Sequence, residues 1–219
     1  MSQDNVKAIL FDLDGVLIDS TSCIERHWQE WSQKHDIDLV KILQNAHGVR
    51  TIETMKIVAP HLNIEKEAAQ FTANEILDTE GVVAIPGSKA LIDQIPINQW
   101  TIVTSGSYDL VQARLKKSGL PMPKAIVTAD SVSQGKPSPE PYLMGAKKLD
   151  TSIDECCVVE DAPIGIRAGK NAGALVIGVL STHSREELLG AGADYLIDNL
   201  GQIKIIFDKE YPLITINPS

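Results

Sequence analysis

Short apolar runs rich in β-branched residues recur along this 219-residue chain and alternate with segments of helical periodicity. Six of these runs predict buried strands, at residues 6–11, 100–103, 125–127, 156–159, 174–180 and 195–197. Amphipathic segments of helical length separate most of them, including DLVQARLKKSG, PEPYLMGAKKLD and PIGIRAGKNAG. Regular alternation of strand and helix is typical of a parallel sheet covered by helices on both faces. We therefore predict a doubly wound, Rossmann-like α/β core.

One interval breaks this alternation. Between about residue 19 and residue 81 no run has the pattern of a strand, and helical patterns occur instead, at residues 51–58, at residues 66–77 and through Ile24, Trp28, Trp31 and His35. The segment GVVAIPG, at residues 81–87, has the turn residues of a connection back to the core. We predict an inserted all-helical cap domain over residues 17–84, with residues 1–16 and 85–219 forming the α/β core.

Charge and cysteine content limit the partners and the compartment. The formal net charge is −9, and an acidic surface repels nucleic acid and anionic membranes, so we expect neither as a partner. The three cysteines give no disulfide framework, which indicates a reducing compartment. The first residues lack the pattern of a signal peptide or a membrane span. The expectation is a cytoplasmic monomer.

Polar residues follow four of the predicted strands, at their carboxyl ends. They are Asp12 and Asp14 after the first strand, Thr104, Ser105 and Gly106 after the second, Lys136 in the loop after the third, and Glu160 and Asp161 after the fourth. Ligands of doubly wound sheets bind beyond the carboxyl ends of the strands. We therefore expect these residues, which are distant in sequence, to converge.

The residue types in this cluster suit phosphoryl transfer. Asp12, Asp161 and Glu160 offer the carboxylate oxygens that Mg²⁺ prefers, and the cluster has no cysteine or histidine that would favour zinc. Lys136 can offset the charge of a phosphate, and Ser105 and the neighbouring backbone amides can donate hydrogen bonds to phosphate oxygens. Cation, metal and donors together indicate a phosphoryl-transfer site.

Asp12 and Asp14 can take two different parts in that chemistry. A carboxylate can attack phosphorus and form an aspartyl-phosphate, which divides one difficult step into two easier ones. A second carboxylate can protonate the leaving oxygen and later take a proton from the attacking water. Asp14 is suitably placed because Gly15 lets the chain turn directly after it. Asp19 and Ser20, just before the first helical pattern, are instead expected to cap that helix.

Four segments, FDLDGVLIDS, VTSGS, GKPSPEPY and VVEDAPIGIRAG, occur in the order of the motifs of the haloacid dehalogenase superfamily. The sequence resembles the phosphatases of that superfamily over nearly its whole length. The resemblance implies that Asp12 is the nucleophile and a Mg²⁺ ligand, and that Asp14 is the general acid and base, whose backbone carbonyl also binds the metal. It implies that Asp161 is the third protein ligand, with Glu160 at or near the metal.

The same resemblance implies that Ser105 and Lys136 hold the phosphate, with Thr104 and Gly106 in the same phosphate-binding segment as Ser105. Dehalogenases of the superfamily lack an acid at the position of Asp14 and use no Mg²⁺, so phosphate esters are the expected substrates.

Further likeness is to the subgroup of β-phosphoglucomutases and of sugar-phosphate, 2-deoxyglucose-6-phosphate and glycerol-phosphate phosphatases. It extends through HGVRT at residues 47–51 and PGS at residues 86–88. It implies a small phosphorylated metabolite, a sugar phosphate or a polyol phosphate, as the substrate. The cap residues that would contact its non-phosphate part are Glu25, His47, Gly48, Arg50 and Thr51.

Two alternative functions remain open at this point. A phosphomutase would share the aspartyl-phosphate, although this chain has Ile24 where β-phosphoglucomutase has a cap histidine. A phosphoacceptor signalling module would share the acidic pocket, the hydroxyl residue and the lysine. Such a module has neither a helical insert between its first two strands nor an acid two residues after the phosphoacceptor.

Overall fold

The computed structural model of the protein describes residues 3–4, 6–207 and 212–216, and side chains over residues 6–206. The strands are β1 (Gln3–Asp4), β2 (Ala8–Phe11), β3 (Ile18–Asp19), β4 (Val83–Ala84), β5 (Trp100–Val103), β6 (Ile126–Val127), β7 (Cys156–Glu160), β8 (Leu175–Val179), β9 (Tyr195–Ile197), β10 (Ile203–Phe207) and β11 (Pro212–Ile216). The α-helices are α1 (Thr21–His35), α2 (Leu39–Ala46), α3 (Thr51–Val58), α4 (Ile64–Leu77), α5 (Ser88–Ile92), α6 (Tyr108–Ser118), α7 (Glu140–Lys148), α8 (Pro163–Ala172) and α9 (Arg185–Gly190).

Six strands form one parallel sheet in the order β6, β5, β2, β7, β8, β9. All six were predicted from their apolar runs, and the predicted α/β class is confirmed. The central strand β2 pairs with β5 on one side and β7 on the other, with Phe11 opposite Ile102 and Val159. The carboxyl ends of these three strands are therefore neighbours at one edge of the sheet.

Both faces of the sheet are covered, which explains why its strands are continuous apolar runs. Ile9 and Phe11 pack with α5 and α6 in one apolar cluster, whereas Leu10 lies in a second cluster with α7 and α8. Successive residues of a strand point to opposite faces, so β2 contributes to both layers.

The helices α1 to α4 (residues 21–77), here called the helical insert, have an apolar cluster of their own. Trp28, Trp31, Met55 and Phe71 are buried in it. The sequence predicted α1, α3 and α4 but missed α2, and it missed the antiparallel pair of β3 and β4 at the base of the helical insert. Two-residue strands are too short to show a period in sequence.

The described part of the chain also has a three-stranded antiparallel sheet, in which β11 lies between β1 and β10. Sequence patterns gave no assignment for β11. Among the described residues, no helix has both the length and the apolarity that crossing a bilayer requires.

A pair of Leu→Ala substitutions tests the central position of β2. Leu10 is fully buried, and we expect Leu10→Ala to lower the free energy of unfolding by about 2–5 kcal/mol, through lost burial and the cavity left behind. The control is Leu77→Ala, at a side chain that is 86% exposed. Denaturant unfolding should show a change within about 0.5 kcal/mol for this control. Equal losses in the two variants would contradict the assigned core.

Candidate active site

The hydrogen-bond pattern of the sheet continues one residue beyond β2 and β5. The backbone N–H of Asp12 donates to the carbonyl of Val159 at 2.9 Å, and that of Thr104 donates to Val127 at 3.0 Å. Asp12 and Thr104 therefore stand on rigid backbone at the edge where the strands end. A group held this way needs little reorganisation when a ligand binds.

Lys136, in the loop between β6 and α7, lies inside this edge. Its Nζ donates to Asp12 Oδ1 at 2.7 Å and to Glu160 Oε1 at 2.6 Å. Only 1% of the lysine side chain is exposed. Burial alone would lower the pKa of Lys136, but the two carboxylates outweigh it and raise the pKa above its ordinary value. The ammonium therefore stays charged.

Glu160 is the most enclosed member of the cluster. Besides Lys136, Oε1 accepts a hydrogen bond from Tyr142 Oη at 2.8 Å, and Oε2 accepts from the backbone N–H groups of Asp161 and Ala162 at 3.0 and 3.1 Å. A Cβ at Gly165 would overlap this carboxylate. These contacts use both oxygens to fix Lys136 and the turn after β7.

Asp12, Glu160 and Asp161 form a cluster that could hold a metal ion. Each offers a carboxylate oxygen, and the three atoms lie within 4.8 Å of one another. Burial raises the pKa of Asp12 to about 7, against the opposing effect of Lys136, and it raises the pKa of Asp161 well above its usual range. When all three carboxyl groups are ionised, they outnumber the single ammonium, and a bound cation would offset that excess of negative charge.

Asp14 faces a different set of partners. Its Oδ1 accepts hydrogen bonds from Ser20 Oγ at 2.6 Å and from Arg114 Nη1 at 2.9 Å. The expectation that Ser20 caps α1 is wrong, because its hydroxyl is used on Asp14 and makes no capping bond. Asp19 does accept from the N–H of Thr21, the first residue of α1, at 3.0 Å.

Arg114 and Glu75 are two residues that the motif analysis missed. Arg114 Nη2 donates to Glu75 Oε1 at 2.8 Å, and both side chains are buried. A signal was present in the sequence: each lies at helical spacing among apolar residues of its own helix, on the face that is buried. A charged residue on a buried helical face requires a partner.

Thr182 and His183, in the loop after β8, were also missed. Thr182 Oγ1 donates to Asp161 Oδ2, and His183 Nδ1 lies 3.1 Å from the carbonyl oxygen of Asp161. This loop follows a fifth strand of the same sheet. The rule that located the other residues, inspection of the carboxyl ends of strands, would also have found it.

The helical insert and the core together enclose a cavity of about 100 Å³. Most of the residues proposed from sequence line it: Asp12, Asp14, Thr104, Ser105, Gly106 and Asp161 from the core, and Glu25, His47, Gly48 and Thr51 from the helical insert. Lys136 and Glu160 do not line it and lie buried behind Asp12. The predicted cluster is thus brought together.

Besides the Arg114–Glu75 pair, two contacts join the helical insert to the core at this cavity. Ser105 Oγ donates to the carbonyl of Gly48 at 2.8 Å, and the His47 ring meets the His183 ring edge to face, with centroids 5.4 Å apart. Arg50 points elsewhere, since Nη2 donates to the carbonyl of Val132 at 3.0 Å. Arg50 lines a neighbouring cleft and not the cavity.

Comparison with known proteins identifies the family. Residues 9–179 match the haloacid dehalogenase-like hydrolase family, so the chain belongs to that family. The predicted membership is confirmed, and with it the expectation of a hydrolase.

Named relatives agree with this assignment. Hexitol phosphatase A of Escherichia coli is 39% identical over 91% of this chain and 94% of its own. The 2-deoxyglucose-6-phosphate phosphatase 2 of Saccharomyces cerevisiae is 32% identical over 98% of this chain and 96% of its own. A solved structure, a putative β-phosphoglucomutase from Bacteroides vulgatus, matches with a TM-score of 0.75 at 31% identity, over 89% of this chain and 84% of that one.

A glycine pair tests the packing behind Glu160. We expect Gly165→Ala to displace the Glu160 carboxylate and lower the free energy of unfolding by about 1–3 kcal/mol, because the added methyl group has no space. Gly190→Ala is the control, since nothing lies within 4 Å of its Cβ position. Denaturant unfolding of both variants is the measurement. A Gly165→Ala variant as stable as the control would contradict the packing.

The raised pKa of Asp12 gives a pH dependence for the metal-free protein. Burial raises this pKa from 3.8 to about 7, so the unfolded chain loses the proton first as the pH rises. The stability that protonated Asp12 contributes to the folded state is therefore fully present below about pH 4 and is lost as the pH rises to about 7. The asparagine of Asp12→Asn cannot ionise. We expect the free energy of unfolding of this variant to exceed that of the wild type by on the order of 2–4 kcal/mol at pH 8, and the difference to close towards pH 4.

The measurement is denaturant unfolding in chelator across that pH range. A difference in free energy of unfolding that stays constant with pH would contradict the burial of an ionised Asp12. So would an Asp12→Asn variant that is less stable than the wild type at pH 8.

Proposed function

We propose that the protein is a Mg²⁺-dependent phosphatase of small sugar phosphates or polyol phosphates, acting through an aspartyl-phosphate on Asp12. The observation that carries the proposal is that buried Asp12, beside the cavity, bonds to Lys136 and has a carboxylate oxygen within 4.8 Å of one of Asp161. The named relatives support phosphate monoesters of sugars and hexitols as the substrate class.

Asp12 has the setting of a nucleophile. Its strand is rigid, and Lys136 fixes Oδ1, so the carboxylate is aimed into the cavity before the substrate arrives. From the adjacent strand end, the Ser105 hydroxyl can exchange its bond to the Gly48 carbonyl for one to a phosphate oxygen, and the Gly106 amide can do the same from Thr104 Oγ1. The N–H of Thr104 stays in the sheet, bonded to Val127. Attack on phosphorus then forms the aspartyl-phosphate and releases the substrate's hydroxyl group.

The carboxylates fit a divalent cation, because the buried cluster, when ionised, has more negative than positive charge. Asp12 and Asp161 would hold Mg²⁺ together with the backbone carbonyl of Asp14, and the ion would supply positive charge beside the phosphate oxygens. Glu160 supports Lys136 and the turn that carries Asp161.

Asp14 serves as general acid and then as general base. It lines the cavity two residues after Asp12, where it gives a proton to the leaving oxygen in the first step. In the second step it takes a proton from the water that attacks the aspartyl-phosphate. This division of work between two carboxylates requires that each be held in its own environment.

The side of the cavity formed by the helical insert would receive the sugar or polyol. Glu25, His47 and Thr51 line it and can bond to hydroxyl groups. Ile24 also lines the cavity, and an apolar side chain there cannot exchange protons with a substrate hydroxyl, which favours hydrolysis over mutase chemistry.

Phosphate release from a panel of esters tests the function. The panel contains hexose phosphates, 2-deoxyglucose 6-phosphate, hexitol phosphates and glycerol phosphates, each with Mg²⁺ and with chelator. We expect release with Mg²⁺ only, and a loss of at least about 10³-fold in Asp12→Asn, since the nucleophile is removed. Asp19→Asn is the matched control and should keep wild-type rates, because an asparagine can still accept from Thr21.

Wild-type rates in Asp12→Asn would contradict the assigned nucleophile. Isomeric sugar phosphate formed without free phosphate would show a mutase instead, and a phosphorylated protein that persists without turnover would show a signalling module.

A further inference from the structure

Arg114 is a core residue that touches both the helical insert and the acid of the active site. It lies on α6, its side chain is 3% exposed, and its two terminal nitrogens are divided between two carboxylates. Nη1 donates to Asp14 Oδ1 at 2.9 Å, and Nη2 donates to Glu75 Oε1 at 2.8 Å. Glu75 belongs to α4 of the helical insert, so one planar guanidinium connects that insert to Asp14.

A packing role alone does not account for this arrangement. Burying charged groups is costly, and apolar residues of similar volume usually stabilise a core at least as well. The cost here is only partly offset, because Arg114 Nε is buried without a hydrogen-bond partner. Glu75 is also penalised, since burial raises its pKa to about 7 in spite of Arg114. The position of the three groups beside the cavity suggests that the gain is functional.

The contacts on Asp14 are asymmetric. Ser20 Oγ and Arg114 Nη1 both donate to Oδ1. Because Oδ1 already accepts two hydrogen bonds, Oδ2 is the oxygen available to exchange a proton with the substrate. Arg114 and Ser20 thereby fix both the rotation of the carboxyl group and the oxygen that acts.

We propose that Arg114 is a positioning residue. It holds Asp14 with Oδ2 towards the leaving oxygen when Glu75 of the helical insert is hydrogen-bonded to the Arg114 guanidinium. The inference rests on the proposed phosphatase function. Because the guanidinium is rigid and planar, Nη1 reaches Asp14 in this orientation while Nη2 is held by Glu75. Proton transfer is thereby coupled to the seating of the helical insert.

The leaving group of the substrate separates this role from a structural one. An alkoxide is a poor leaving group and needs a proton from Asp14 as its bond to phosphorus breaks. The nitrophenolate of p-nitrophenyl phosphate leaves without that proton. A residue that works through Asp14 should therefore affect kcat/KM for an alkyl phosphate far more than for the aryl phosphate, whereas general damage to the fold should affect both equally.

The experiment measures kcat/KM of wild type and variants for the best alkyl phosphate of the panel and for p-nitrophenyl phosphate, with Mg²⁺. For Arg114→Gln we expect a loss of about 100-fold on the alkyl phosphate and under about fivefold on the aryl phosphate. Arg114→Lys should recover part of the alkyl activity, because it keeps a cation beside Asp14. Glu75→Gln should show a smaller loss with the same preference for the alkyl substrate.

The matched control is Arg26→Gln. Arg26 also pairs with a carboxylate, because it donates to Asp78 from Nε at 3.2 Å and from Nη2 at 2.8 Å. Arg26 belongs to the helical insert, Asp78 directly follows that insert, and neither residue lines the cavity. We expect this variant to change the two kcat/KM values by the same small factor.

Equal losses on the two substrates in the Arg114 variants, while the wild type hydrolyses both, would overturn the role of Arg114 and leave the proposed function intact. A wild type that releases phosphate from neither ester would overturn both. If Arg114→Gln does not fold, Arg114→Lys and Glu75→Gln decide the question by the same ratio of alkyl to aryl losses.

Discussion

The buried ammonium of Lys136 is the interaction on which the rest of this site depends. It lies between Asp12 and Glu160, at 2.7 and 2.6 Å, with almost no access to water. Without it, carboxylates from the adjacent strands β2 and β7 would face one another in a medium that screens charge poorly. The bridge allows both strands to end in acids at the same edge. Tyr142 and the backbone N–H groups after β7 complete the set of donors around Glu160.

The helical insert meets the core over the same residues that the chemistry would use. Ser105 donates to the carbonyl of Gly48, and Arg114 joins Asp14 to Glu75. Gly48 lies close to the start of α8, where an added Cβ would come within 2.9 Å of the Ile164 side chain. Substrate access and the geometry of the reacting groups are therefore linked by a few short contacts. A metabolite that seats the helical insert correctly would at the same time complete the site.

Sequence reasoning succeeded where one local pattern carries the information. The apolar runs gave all six strands of the parallel sheet, and the polar residues at their ends gave Asp12, Asp14, Lys136 and Asp161. Sequence reasoning failed for contacts between distant elements. The periodicity of α6 does not predict that Arg114 pairs with Glu75 and not with another acidic residue. The β3–β4 pair was too short for a pattern. A hydroxyl residue before a helix usually predicts a cap, but in the folded protein the Ser20 hydroxyl bonds to Asp14 instead.

The proposed mechanism requires that Asp12 become phosphorylated during turnover. The most direct measurement is to quench the enzyme in acid during turnover of a substrate with Mg²⁺, reduce the protein with borohydride, and locate the modified residue by mass spectrometry of its peptides. Reduction converts an aspartyl-phosphate to homoserine and leaves free carboxylates unchanged. We expect homoserine at position 12 in the wild type and none when substrate is omitted. Homoserine at position 14 or 161, or at no position while phosphate is being released, would contradict it.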